Sequence, residues 1–90
     1  MELIHRTGTR PINDVDLYVD ENDVYALCRY GEPPEHFASS IMTRQELIRF
    51  AYPNRNYLGS NETSGIVETI KFILGYFPQE EVALVALEML

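Results

Sequence analysis

Apolar and polar residues alternate from Asp14 to Tyr30, on either side of the polar run Asp20–Asp23. This period of two predicts a β-hairpin. A two-residue turn at Glu21-Asn22 would pair Val19 with Val24 and give one purely apolar face. That face would hold Val15, Leu17, Val19, Val24, Ala26 and Cys28. The other face would hold Asp14 opposite Arg29, Asp16 opposite Leu27, Tyr18 opposite Tyr25 and Asp20 opposite Asp23. A four-residue loop across Asp20–Asp23 is the alternative, because directly opposed Asp20 and Asp23 would repel.

The segments flanking the hairpin have weaker patterns. Glu2–Thr7 alternates enough to add a third strand. Gly31-Glu32-Pro33-Pro34-Glu35 predicts an extended connector, since each proline disfavours helix at the residue before it. We therefore expect residues 31–42 to link a β part to a helical part.

The pattern changes to a helical period after residue 42. Thr43 and Glu46 have the spacing of a capping box. The helix that follows would bury Leu47, Phe50 and Ala51 and end near Tyr52, before Pro53. Residues 54–60 would form a polar loop. A second helix would start near Ser60–Thr63 and end at Gly75 and Pro78. Its apolar stripe would consist of Ile66, Val67, Ile70, Ile73, Leu74 and Phe77.

The last segment predicts a third helix of unusual composition. Pro78 at the first helical position, followed by Glu80 and Glu81, suits a helix N-terminus. Residues 82–90 are apolar nearly all round, with Glu88 as the one charge. Because a surface helix needs a polar face, we expect this segment to be wrapped by the domain or shared with another chain. The oligomer interface would then use Val82, Val85, Leu87 and Met89.

These elements together predict one α+β domain over residues 1–90. Residues 1–30 would form an antiparallel hairpin or three-stranded sheet, residues 31–42 the connector, and residues 43–90 two to three helices packed on one face of the sheet. Ninety residues are too few for a second hydrophobic core.

The sequence offers little for catalysis or metal binding. Cys28 is the one cysteine, the two histidines His5 and His36 are isolated, and no metal-ligand spacing occurs. The predicted register would turn Cys28 inward beside Val15, where a thiol is normally inert. We therefore expect no enzyme, no catalytic residue, no metal and no cofactor. The absence of a signal peptide or an apolar run long enough to span a membrane predicts a cytoplasmic protein.

The charge of the chain is concentrated in one stretch. Residues 11–37 hold seven acidic side chains against Arg29 alone, which gives −6 of the net −7. Seven scattered bases argue against direct nucleic-acid binding. Acids and tyrosines on one hairpin face suit a partner with a basic surface, with charge for steering and rings for anchoring. The predicted contact residues are Asp14, Asp16, Tyr18, Asp20, Asp23 and Tyr25.

One local stretch resembles a known family. Tyr52-Pro53 and the later Ser64-Gly65-Ile66-Val67-Glu68-Thr69-Ile70-Lys71 are similar to the Tyr-Pro and Ser-Gly-Ile-Val stretch of the colicin nuclease immunity proteins. Those are small acidic four-helix inhibitors of secreted nucleases. The predicted hairpin departs from that all-helical family, so the resemblance implies no contact residues here.

The expected function is therefore a small acidic, non-enzymatic binding protein. It would occlude the basic surface of a nuclease or another nucleic-acid-handling partner, as immunity, anti-restriction or anti-CRISPR inhibitors do. The alternative is a structural or assembly module that forms a homo-oligomer through its apolar C-terminal segment.

Overall fold

A four-stranded antiparallel sheet precedes three α-helices in the computed structural model, which describes residues 1–6, 15–36, 41–62 and 64–90. The strands are β1 (Glu2–Arg6), β2 (Val15–Val19), β3 (Val24–Arg29) and β4 (Ile41–Thr43), in that spatial order. The helices are α1 (Arg44–Ala51), α2 (Gly65–Tyr76) and α3 (Gln79–Glu88). The predicted α+β class and the third strand at the N-terminus are confirmed.

Two segments predicted as irregular have regular structure. The predicted connector contains a 3₁₀ turn at Pro34–His36 and the fourth strand, Ile41–Thr43, which pairs with β3. Three residues are too short a run for alternation to identify a strand. The predicted polar loop is largely a 3₁₀ segment, Tyr52–Gly59. Pro53 is tolerated there because it lies in the first turn, where an amide hydrogen is not needed.

The predicted hairpin register is wrong by one residue. Val19 pairs with Tyr25 and Leu17 with Leu27, where the prediction paired Val19 with Val24. The connecting loop has three residues, Glu21–Asp23, because the Asp20 amide donates to the Val24 carbonyl at 2.9 Å. Asp23 has a φ of 62°, a left-handed conformation that Asp tolerates better than most residues. The two-residue turn is therefore absent, whereas the four residues Asp20–Asp23 do lie between the two strands, with a strand pairing shifted by one residue from the predicted one.

The shift changes which side chains of β3 face the helices. Leu17, Tyr25 and the partly buried Leu27 pack toward the helices, while Ala26 and Cys28 lie on the opposite face with Asp16. Both faces hold buried side chains, since Asp16, Ala26 and Cys28 are also buried. The expected separation into a buried apolar face and an exposed acidic face therefore does not exist.

The predicted capping box at the start of α1 is confirmed. The Thr43 hydroxyl accepts the Glu46 amide at 3.1 Å, and the Glu46 carboxylate accepts the Thr43 amide at 3.1 Å. α1 then buries Leu47, Ile48 and Ala51 against the sheet and α2.

α2 and α3 complete the core with the spacing that the sequence predicts. α2 begins at Gly65, after the predicted start, and ends before Pro78. Its stripe is buried except for Ile66, which is 42% exposed. Pro78 precedes α3 as its N-cap residue rather than occupying the first helical position. The described helices include none long and apolar enough to cross a membrane.

Candidate partner-binding surface

The tip of the β2–β3 hairpin is built by the side chain of Asp20. Its Oδ1 accepts the amide of Asn22 at 2.8 Å and the amide of Val24 at 3.0 Å. A carboxylate that satisfies turn amides in this way stabilises a tight loop. The turn therefore presents Glu21 and Asn22 outward, and both are exposed.

Strand β1 brings a further carboxylate to this end of the sheet. Glu2 lies opposite Val19, the residue before Asp20, and its side chain is exposed. A groove of about 440 Å³ runs between them. Its lining residues are Met1, Glu2, Val19, Asp20, Glu21 and Asn22. We call Glu2, Asp20, Glu21, Asn22 and Asp23 the hairpin-tip surface.

The hairpin-tip surface carries four acidic side chains, and the residue that brings a cationic group to its groove in the described part of the chain is Met1, through its amino group. No lysine or arginine side chain lines the groove in the part of the chain that the structure describes. Among the described residues, Asp23 is the one acid of this surface with an arginine partner, since the Arg44 Nη1 donates to its Oδ2 at 3.2 Å. The carboxylates of Glu2, Asp20 and Glu21 are therefore left to attract a cationic group of another molecule.

Arg44 fixes the hairpin tip to the helices. Its Nε and Nη2 each donate to Glu81 at 2.6 Å, a bidentate pair, and its guanidinium lies 5.0 Å from the ring centre of Phe77. The Tyr25 hydroxyl donates to Asp23 Oδ1 at 2.7 Å from the other side. The tip is consequently held by side chains of β3, α1 and α3, which makes it a preorganised surface.

Tyr25 belongs to the core and not to a surface patch. The side chain is 2% exposed, and its ring meets Phe77 edge-on at 5.5 Å. Burial raises the pKa of the Tyr25 hydroxyl, and the hydrogen bond to Asp23 raises it further. The one-residue shift in register is the reason, because it turns Tyr25 to the helix side.

Asp16 is likewise buried, at 0% exposure. Arg6 donates to both of its oxygens, from Nε at 2.8 Å and from Nη2 at 2.9 Å, and the Gly31 amide donates to Oδ2 at 3.1 Å. The Arg6 hydrogen bond holds the pKa of the Asp16 carboxyl below its usual value, and the Gly31 amide adds to this while burial opposes it. Asp16 on β2 therefore joins β1 to the residues that follow β3.

The other predicted contact residues are divided among different places. Asp20 and Asp23 lie at the hairpin tip, whereas Tyr18 is half-buried on the face away from the helices. Asp14 lies outside the described residues. Of the five that lie within the described residues, Asp20 and Asp23 are the two that belong to the hairpin-tip surface.

Sequence reasoning missed Glu2 and Glu21 as members of this surface. Glu21 lies in the predicted turn, but the contact residues were predicted from one face of the hairpin strands, which left Glu21 out. Glu2 could be placed only by knowing that β1 pairs with β2 so that Glu2 meets Val19. The Asp23–Arg44–Glu81 contacts had no local signal, because these residues are separated by 21 and 37 positions.

The residues predicted to form an oligomer interface at the C-terminus also lie in two different environments. Val82 and Val85 are buried within the domain, so the inner side of α3 is occupied by its own core. Leu87 and Met89 are exposed, at 63% and 39%. Leu84, which the sequence did not single out, is 63% exposed beside them.

The chemistry of the remaining candidates is limited among the described residues. Cys28 is buried on the face away from the helices, opposite Asp16 rather than beside Val15. Burial raises the pKa of its thiol, as do the nearby carboxylates, so the nucleophilic thiolate is disfavoured. The described part of the chain holds no group of three or more side chains placed to bind a metal ion.

Comparison with known proteins found no match: no family model fits the chain, and neither the curated proteins nor the solved structures contain a significant relative.

Proposed function

We propose that this protein is a non-enzymatic binding protein that occludes a basic surface of a nuclease or another nucleic-acid-handling partner. The hairpin-tip surface is the contact site in this proposal. The observation that carries it is the group of Glu2, Asp20 and Glu21 around one groove, of which Glu2 and Glu21 are exposed and Asp20 is partly exposed, with no lysine or arginine side chain among the described residues that line it.

Preorganisation supports a binding role for the hairpin tip. A loop whose amides are satisfied by Asp20 and whose end is tied to Arg44 loses little conformational freedom on binding. Acidic groups held in this way steer a basic partner and are sensitive to salt. Immunity, anti-restriction and anti-CRISPR inhibitors are the functional types that this chemistry fits.

The site has a different composition from the one that the sequence suggested. Asp16 and Tyr25 stabilise the fold and contribute no exposed contact. Glu2 and Glu21 take their place in the proposal, together with Asp20 and Asp23. Tyr18, half-buried on the outer sheet face, is outside the proposed centre.

Inhibition of purified nucleases tests the proposed function. A panel of basic DNases, RNases and RNA-guided nucleases is assayed with increasing amounts of the protein at about 50 mM and about 500 mM salt. We expect inhibition of at least one nuclease at low salt and a loss of about tenfold or more in potency at high salt. A panel in which no nuclease binds or is inhibited would contradict the proposal.

A neutralised variant identifies the surface responsible. Asp20→Asn with Glu21→Gln removes two charges and keeps the side-chain oxygen that satisfies the turn. We expect inhibition to weaken about tenfold while thermal unfolding is unchanged. Glu35→Gln with Glu62→Gln is the matched control, since both residues are exposed and lie outside the hairpin-tip surface.

A further inference from the structure

A pocket of about 240 Å³ lies where the 3₁₀ segment meets the later half of α2 and the start of α3. Its apolar walls include Leu58, Leu74 and Val82, and its polar lining residues include Arg55, Lys71 and Gln79. The Gln79 Nε2 donates to the Leu74 carbonyl at 2.8 Å, which ties the first residue of α3 to α2. The pocket is therefore formed by three regular elements rather than by a loop.

The charged side chains that line this pocket are basic. Arg55 and Lys71 line it, and no aspartate or glutamate does in the part of the chain that the structure describes. The Arg55 guanidinium carbon lies 4.4 Å from the ring centre of Tyr52, and Nη1 donates to the Tyr52 carbonyl at 3.2 Å. The Lys71 Nζ lies 3.5 Å from Glu68 Oε1 and donates to the Ser60 carbonyl at 2.6 Å. Lys71 is thus partly neutralised, whereas Arg55 is held in place without a carboxylate partner among the described residues.

This use of an arginine differs from that of most others in the fold. Arg6, Arg44 and Arg49 each bind a carboxylate of the protein itself. A larger groove of about 610 Å³ also borders Arg55, but Lys71 does not line it. The smaller pocket is therefore the place where the two cations meet beside apolar walls.

Gly75 leaves one side of this pocket open. It lies within α2, near its end, where glycine is a poor helix former. Its φ is not positive, as a glycine that caps a helix C-terminus would require. A Cβ at this position would meet no atom within 4 Å. Since neither the backbone nor a close contact requires glycine here, its observed consequence is the space that it leaves at the pocket.

We propose that this pocket binds a small monocarboxylic acid with an apolar body. Arg55 donates to the two carboxylate oxygens, a planar arrangement that a guanidinium matches. Lys71 supplies a second positive group on the same pocket. The hydrocarbon part of the acid packs against Leu58, Leu74 and Val82, where it is removed from water.

The size and charge of the pocket favour such an acid over a nucleotide or a phosphate ester. Its volume of about 240 Å³ is below the range of about 300–1,000 Å³ that is typical of sites for drug-sized ligands. One uncompensated arginine balances one negative charge, and the net charge of −7 on the chain repels a polyanion more strongly than a monoanion. Aliphatic walls also leave a phosphate without the hydrogen bonds that it has in water.

NMR titration of the isotope-labelled full chain tests the proposal. Sodium hexanoate and sodium benzoate are the apolar acids, hexanamide and benzamide are their neutral counterparts, and inorganic phosphate is the hydrated anion. All titrations use one ionic strength of about 100 mM. We expect at least one acid to shift the amide signals of the pocket residues saturably, with a Kd of about 5 mM or tighter.

The neutral amide of that acid and phosphate should each bind at least about tenfold more weakly than the acid. Failure of both acids to give a saturable shift would overturn the proposal. Equal binding of the amide would overturn the role of the charge, and equal binding of phosphate would overturn the class of ligand.

Two substitutions locate the bound acid. Arg55→Gln removes the uncompensated charge and should raise the Kd about tenfold. Gly75→Leu occupies the open space and should also raise the Kd about tenfold, while α2 becomes no less stable because leucine is the better helix former. Both positions are exposed, so circular dichroism should show folded variants.

Arg29→Gln is the matched control, since Arg29 is an exposed arginine outside the pocket. It makes the same change in net charge as Arg55→Gln and should change the Kd less than about twofold. Unchanged affinity in either Arg55→Gln or Gly75→Leu would overturn the assignment to this pocket. The pocket shares no residue with the hairpin-tip surface, so its failure would leave the proposed function intact.

Discussion

At the residue scale, the same side-chain type has different roles in neighbouring parts of one hairpin. Asp16 is buried and bound by Arg6, whereas Asp20, four residues later, is partly exposed and organises a turn. From the sequence, alternation predicts both as acidic residues on the same face of a hairpin. Only the tertiary partner, Arg6 on a different strand, distinguishes them, and the sequence has no local signal for that contact.

Asp16→Asn should destabilise the fold. The amide keeps the shape but loses the charge that both Arg6 nitrogens address, so we expect the free energy of unfolding to fall by about 2 kcal/mol. Glu21→Gln makes the same acid-to-amide change at an exposed position and should change stability by less than about 0.5 kcal/mol. Urea unfolding at pH 7 measures both. Equal stabilities of the two variants would contradict a structural role for Asp16.

The environment of Asp16 also predicts how the free energy of unfolding depends on pH in the acidic range. Its pKa is lowered in the fold, so its contribution is complete above the unfolded value, near 3.8, and is lost as the pH falls toward the folded pKa. Wild type should therefore lose more stability than Asp16→Asn between pH 5 and about pH 3. Parallel pH profiles for the two proteins would refute this assignment.

His5 predicts a second, separate pH effect. Its ring stacks on Phe72 at 4.2 Å, and its Nε2 is buried with no hydrogen-bond partner among the described residues. Burial lowers the pKa of His5, although Glu68 and Asp16 oppose the shift. The unfolded chain therefore binds the proton first, and stability falls as the pH drops below about 6.5. Urea unfolding at pH 7.5 and 5.5 should show a smaller loss for His5→Phe than for wild type, and an equal loss would contradict the prediction.

At the element scale, each helix and the hairpin are predictable from their own residues, but the register of the hairpin is not. The Thr43–Glu46 capping box and the spacing of Val67, Ile70 and Leu74 are local signals, and the corresponding α1 and α2 are present. The hairpin register depends on whether Asp23 adopts a positive φ, which alternation cannot reveal. That one backbone angle moves Tyr25 from the expected exposed face into the core.

The turn assignment predicts a contrast between two substitutions of Asp20. Asp20→Ala removes the oxygen that accepts the Asn22 and Val24 amides, and we expect a loss of about 1 kcal/mol. Asp20→Asn keeps an acceptor and should be nearly neutral for stability. Thermal or urea unfolding of the pair measures the difference. A destabilised Asp20→Asn together with a stable Asp20→Ala would contradict the turn.

At the scale of the whole molecule, the uneven distribution of charge remains, but the exposed acids lie at the hairpin tip rather than along one face of the strands. Among the described acids of residues 11–37, Asp16 and Asp23 are paired with arginines, while Glu21 is exposed at the tip and Glu2 joins it from β1. The sequence could predict that acidic side chains are concentrated in this segment, and Glu21 and Asp23 are exposed there. It could not predict which acids are neutralised, because those pairs form between distant elements.

The most direct test of the central claim compares two charge reversals of equal size against one purified basic partner from the nuclease panel. Glu2→Lys with Glu21→Lys changes the hairpin-tip surface, and Glu35→Lys with Glu62→Lys makes the same change in net charge elsewhere. Titration calorimetry at about 50 mM salt gives both Kd values. A Kd raised at least tenfold by the first pair and less than threefold by the second is the predicted result. Equal losses from the two pairs would show that only net charge matters and would contradict a binding site at the hairpin tip.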